Sequence, residues 1–185
     1  MIFKFKLVSD EVTNFSREIE IDSCASFLEL RNAILDSVDY TKDDIDSFFL
    51  CDDEWQRQEE ITLEDMGSAS DQDIWLMEDT PLNELIEDEG QKLVFVFDYM
   101  TERSFFMEMK EIIPGKNLSE AICTLKRGKA PSQKIDLDEF EAKFEQAVNN
   151  PNAEELDIDE IYGGSQYDAE DIASGYDIDG MNNID

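Results

Sequence analysis

The sequence predicts an α+β domain: a mostly antiparallel sheet with one main helix packed on it, a C-terminal helix and an acidic tail. Three observations carry this. Apolar and polar residues alternate with a period of two over several stretches, most strongly at 92–113, KLVFVFDYMTERSFFMEMKEII. Apolar residues recur at helical spacing in two longer stretches, 24–38 and 136–148. Residues 149–185 contain 11 acidic and no basic residues, and no apolar period persists there.

The elements follow in order. Ile2, Phe3, Phe5 and Leu7 alternate with Lys4 and Lys6 in a first strand. After a polar turn, residues 15–21 put Phe15, Arg17, Ile19 and Ile21 on one side and Ser16, Glu18 and Glu20 on the other, completing a hairpin. Asp22 or Ser23 is expected to cap a helix over 24–38, with Phe27, Leu30, Ile34 and Val38 on its buried face. Asp36, Asp39, Asp43 and Asp44 sit at its unfavourable end for the helix dipole. Short strands are expected at 46–50 and 73–77, a strand end or a helical turn at 61–66, and a loop at 67–72. Pro81 suits the first position of a single helical turn. The strand pair at 92–113 turns near Met100, Thr101 and Glu102, and Pro114-Gly115 stops it. Residues 117–125 read as a short helix, 126–134 as a loop, and 136–148 as an amphipathic helix with Asp136 and Glu139 placed as a capping box.

Composition narrows the function. The chain has 185 residues, 47 acidic against 15 basic, for a net charge of −32. Such a field repels phosphate backbones and anionic membranes, so direct nucleic-acid or membrane binding is not expected. Basic proteins and divalent cations are its natural counterparts, and solubility alone is the plainer explanation. Three widely spaced cysteines, Cys24, Cys51 and Cys123, suggest reduced thiols in a cytoplasmic protein. The N-terminal stretch lacks a signal-peptide core, and no run reaches the ~18 apolar residues of a membrane helix. There is no histidine, which removes the commonest general base and metal ligand.

Several short motifs together resemble the Ri-plasmid open-reading-frame-three-like family, also known as insertion-element passenger proteins. They are the opening hairpin with Phe15 and Arg17, Leu30 to Ile34, Val38 to Tyr40, Asp44 to Phe48, Phe97-Asp98-Tyr99, and Cys123 with Gly128 and Pro131. The resemblance covers about residues 2–131 and implies a compact α+β domain, with no firm activity attached. It also implies histidines at the positions of Arg31, Asp44 and Phe105, tryptophans at those of Phe15, Tyr40 and Arg103, and a Gly-Asp at Met100-Thr101. A polar or metal site built on such histidines would be lost here. The organisation expected is a family domain at 1–131, a helix at 132–148 and an acidic, disordered tail at 149–185.

The candidate sites are few. Asp98, Tyr99 and Arg103 at the central turn are a candidate functional remnant, against the plainer reading that Asp98 caps its turn and Arg103 pairs with a neighbouring carboxylate. Lys126, Arg127, Lys129 and Lys134 form the one basic island, a candidate dock for the acidic tail. The pairs and runs of carboxylates are uninformative in so acidic a chain. Asp177-Ile178-Asp179-Gly180 fails as a calcium loop, because Gly175 holds the first ligand position and no Glu stands at the twelfth. No catalytic residue, cofactor or metal site is identified. The expectation is a non-enzymatic interaction module for a basic protein partner, with nucleic-acid mimicry as a special form. The alternative is a carboxylate- and divalent-cation-dependent enzyme of unrecognised type.

Overall fold

The computed structural model describes residues 1–64 and 74–134. The predicted helix at 136–148, the tail beyond it and the loop at 67–72 lie outside the described residues. The expected hairpins form: β1 (Ile2–Ser9) pairs with β2 (Ser16–Asp22), and β6 (Lys92–Asp98) pairs with β7 (Arg103–Ile113), both antiparallel. Between them lie α1 (Phe27–Val38), β3 (Ser47–Cys51), β4 (Arg57–Thr62), the two-residue strand β5 (Trp75–Leu76) and the four-residue helix α2 (Leu82–Leu85). β8 (Ile122–Arg127) follows. The eight strands make one sheet in the order β5-β4-β3-β6-β7-β1-β2-β8. β4 and β5 run parallel and every other pair is antiparallel, so the sheet is mixed.

Period-two patterning decides which face is buried. Phe5, Leu7, Ile19, Phe48, Ile61, Leu93, Phe95, Phe105, Met107 and Met109 all point to one side and are fully buried. Phe27, Leu30, Ile34 and Leu35 of α1 close over them. Each such side chain contributes about 1.5–3 kcal/mol by leaving water, so this layer carries most of the fold. The other face carries Lys4, Lys6, Val8, Phe49, Lys92, Val94, Phe106 and Glu108, and the β3–β4 turn and Tyr99 fold onto it.

Four expectations need correction. Residues 117–125 are not helical: Ile122 to Arg127 pair with β2 as an edge strand, and Ile122 and Thr124, β-branched, suit that pairing better than a helix. The cap of α1 is Ser26, not Asp22 or Ser23. Its hydroxyl accepts from the Glu29 amide while the Glu29 carboxylate accepts from the Ser26 amide, a full capping box that delays the helix to Phe27. Residues 57–62 form a complete strand, which their polar sequence hid, because only Ile61 of that strand is buried. Pro81 caps α2 rather than opening it.

The acidic end of α1 is handled locally. Asp39 takes the left-handed C-cap conformation (φ 60°), and the Lys42 ammonium lies 2.7 Å from the Asp36 carboxylate. No helix among the described residues is long and apolar enough to cross a membrane.

Candidate functional site

The central strand pair ends at a turn, residues 99–102, and its three candidate residues diverge there. Asp98 accepts hydrogen bonds from the Met100 amide (3.0 Å) and the Thr101 hydroxyl (2.7 Å), so it holds its own turn. Tyr99 turns to the outer face, where its hydroxyl bonds to Ser47 Oγ (2.5 Å) and the Glu60 carboxylate (2.7 Å). Burial, aided by Glu60, pushes its phenol up to about 12. Arg103 leans the other way. It donates a bidentate pair to Glu11 (2.9–3.1 Å), lies over the Phe97 ring, and passes Asp98 at 3.9 Å. The three do not converge on one point.

Arg103 instead joins a site that pattern reasoning did not single out. Its Nη2 donates to the Ser132 carbonyl at 2.6 Å. Tyr40 Oη donates to the Pro131 carbonyl at 2.6 Å. Arg17, only 5% exposed, donates to the carbonyls of Arg127 (2.8 Å) and Gly128 (3.2 Å), and to those of Ser16 and Ser37. Gln133 completes the clamp through the Thr41 amide (2.8 Å), the Thr41 carbonyl (2.9 Å) and the Asp44 carboxylate (3.1 Å). Residues 127–133 therefore form an arm held along its main chain by side chains of the domain. Its floor is aromatic: Phe15 stacks on Phe105 (5.1 Å between centroids), and Tyr40 and Phe97 pack against Phe105 at 6.0 and 4.7 Å. Burial raises the Tyr40 phenol, while Arg103 and Arg17 pull it back.

The basic island divides across this arm. Lys134 pairs with Asp44 at 3.2 Å, and the main chain of Arg127 is held by Arg17. Lys126 and Arg127 belong to β8, and Lys129 is exposed on the arm. Gly128 has φ 67°, and a Cβ there would stand 2.4 Å from the Asn14 carbonyl oxygen, so glycine is required at the close approach. A return of residues 149–185 onto this loop lies outside the described residues.

One signal could have found Arg17. It stands on the apolar side of an alternating strand, where a charge must find buried partners. Arg31 obeys the same logic. It lies beside the apolar face of α1, is 3% exposed, and meets buried Asp46 at 2.6 and 2.8 Å. Its Nη2 also donates to the carbonyls of Lys42 (3.0 Å) and Asp44 (3.2 Å). Burial pushes the Asp46 carboxyl up, against the hydrogen bonds and charge of Arg31. Of the positions where the resemblance implies histidine, Arg31 and Asp44 thus meet, while Phe105 lies in the aromatic floor.

Cys24, Cys51 and Cys123 are free thiols. Cys51 is raised by burial first and by Asp52 after it, which suits a poor nucleophile. Among the described residues, no group of three or more His, Cys, Asp or Glu side chains is placed to hold a metal ion.

Among the described residues, a single mixed sheet with one long helix on one face, and an arm clamped at the central turn, defines a mainly β member of the α+β class. The chain belongs to the plasmid pRiA4b ORF-3-like protein family, whose profile matches residues 2–175. The match runs past residue 131, where the motif resemblance stops. A solved structure is similar in fold: a protein of unknown function, MM3350 from Methanosarcina mazei Go1. It is 17% identical, with a TM-score of 0.59 over 90% of this chain and 92% of that one. At that identity the likeness speaks for the fold alone. No curated protein matches the chain.

Proposed function

We propose that the chain is a non-enzymatic interaction module whose acidic sheet end binds a basic protein partner in the cytoplasm. The observation that carries this is how the charges are spent. Many of the cations are already spent within the chain: Arg17 on carbonyls, Arg31 on Asp46 and Arg103 on Glu11 in buried or half-buried positions, and Lys4 on Glu20 and Glu111 and Lys42 on Asp36 nearer the surface. The pairing of Cys51 with Lys92 brings the β3–β4 turn and the loop before β6 to one end of the sheet. Asp53 and Glu54 of that turn, and Glu87, Asp88 and Glu89 of that loop, are exposed there with no ion-pair partner among the described residues. Such a patch raises the local concentration of cationic ligands and steers their approach. Nucleic-acid mimicry is the form this takes if the partner also binds DNA or RNA.

The test is affinity capture from the native cell at about 0.1 and 1 M salt, where the screening length falls from about 10 to about 3 Å. A quadruple variant, Asp53→Lys, Glu54→Lys, Glu87→Lys and Asp88→Lys, serves as the control. Recovery of one basic protein at low salt, lost at high salt and lost with the variant, supports the reading. Equal recovery by the variant contradicts it. A stoichiometric rise in melting temperature with Mg²⁺ or Mn²⁺ and no captured partner would shift the account to a cation-dependent enzyme.

A further inference from the structure

We infer that the outer face of the sheet is a self-association surface whose occupant is a second copy of this chain. The face has a row of apolar side chains across four strands, Phe49, Val94, Phe106 and Val8, successive cross-strand partners; Val94 is buried and Phe49 lies under the Arg57 guanidinium, so Phe106 and Val8 form its open part. The β3–β4 turn folds over to add Trp55, which meets Phe106 edge-on at 5.2 Å. Trp55 holds a left-handed backbone (φ 66°), a conformation that is strained for a residue with a Cβ. A shallow cleft opens between Trp55, Phe106 and Val8, and Val8 is 38% exposed although it lies on a strand flanked on both sides. Nothing among the described residues covers this cleft.

Charge selects the occupant. The protein as a whole is strongly acidic, and two copies at −32 each repel one another. On this face the signs alternate. The row next to the apolar one runs Lys92, Glu108, Lys6, Glu18 across partnered strands. Lys4 sits between Glu20 (3.1 Å) and Glu111 (3.5 Å), and Lys110 meets Glu108 at 2.7 Å. Carboxylates and ammonium groups nearly cancel there, so a second acidic copy can approach this face at small electrostatic cost. An interface related by two-fold symmetry must be self-complementary. A row of alternating sign offers that, because each Lys can meet a Glu of the other copy. A purely acidic or purely basic partner would leave half of these charges opposed by like sign. The face lies away from the clamped arm, and the proposal does not depend on the acidic-end reading.

The salt dependence distinguishes this contact from the other. Screening removes the repulsion between two copies at −32 each and leaves apolar burial intact, which outweighs the weakened contacts between exposed Lys and Glu, so self-association strengthens with salt. Binding of a basic partner weakens. The experiment is sedimentation equilibrium of the full chain at 10–200 µM, at 0.1 and 1 M NaCl, for the wild type and Val8→Glu. The expected result is a mass approaching twice 21.3 kDa, with a dissociation constant at least tenfold tighter at 1 M salt and no dimer for Val8→Glu. Far-UV circular dichroism confirms that the variant is folded, which its exposed position favours. A monomer at both salts and all concentrations overturns the proposal. So does a Val8→Glu variant that dimerises like the wild type. A monomer that dimerises only when residues 149–185 are deleted also overturns it, since the face would then be taken by the chain itself.

Discussion

The buried pair of Arg31 and Asp46 allows a sharp test of how α1 is tied to the sheet. Both side chains are almost fully buried, at 4% and 3% exposure, and Arg31 reaches two further carbonyls in the segment between α1 and β3. Asp46→Ala leaves a guanidinium buried with carbonyl partners alone. Breaking one side of a buried pair costs about 3–5 kcal/mol, a large part of the roughly 5–15 kcal/mol that holds a domain together. With a urea slope of about 2 kcal/mol/M, the unfolding midpoint should fall by about 2 M. Replacing both partners with apolar residues, Arg31→Met with Asp46→Leu, removes the stranded charge. It leaves two carbonyls without a donor, at about 1 kcal/mol each. The double variant should therefore be more stable than Asp46→Ala. The assay is urea denaturation followed by tryptophan fluorescence and circular dichroism. A loss below about 1 kcal/mol in Asp46→Ala, or a double variant less stable than the single one, would refute the reasoning.

Three further outcomes follow from the clamp and its surroundings. Gly128→Ala should destabilise the arm, because the new methyl meets the Asn14 carbonyl in a left-handed backbone; amide exchange at 127–133 should speed up at least tenfold while the β6 and β7 amides stay protected. Tyr40→Phe removes the donor to Pro131 and should cost about 1 kcal/mol, read as a lower urea midpoint with an unchanged slope. Tyr40 and Tyr99 are both raised in the folded state, the latter to about 12, so the stability they lend is complete below the ordinary phenol value near 10. It is lost as pH rises from there towards 12, and the melting temperature should fall less steeply over that range in a Tyr40→Phe, Tyr99→Phe variant.

Much of the fold was legible because alternation is a strong signal where one face is buried. Residues 2–8, 16–21 and both arms of 92–113 are strands, and Phe5, Leu7, Arg17, Ile19 and Ile21 share the buried side that the alternation implies. β4 was hidden because an edge strand buries little: Arg57 to Glu60 are exposed, and only Ile61 reports the core. β8 is hidden for the same reason: Ile122 and Leu125 remain exposed, and its order comes from pairing with β2. The candidate site was legible only in part. Arg103 was found, but its partners Ser132 and Gln133 are main-chain carbonyls some thirty residues away, which no local pattern encodes. Tyr99 breaks the alternation: with Leu93, Phe95 and Phe97 it should face the core, but the register shifts between Val96 and Asp98 and Tyr99 lies beyond the end of β6, so it turns to the outer face.

The acidic end of the sheet is tested most directly by the affinity of the captured basic protein, measured by fluorescence anisotropy at 0.1 and 0.3 M salt, for the wild type and the quadruple charge-reversal variant. Exposed charge pairs contribute about 0.2–1 kcal/mol each, so the variant should bind at least tenfold more weakly at 0.1 M and lose most of its salt dependence. Equal affinity and an equal salt slope for the two proteins would contradict the account.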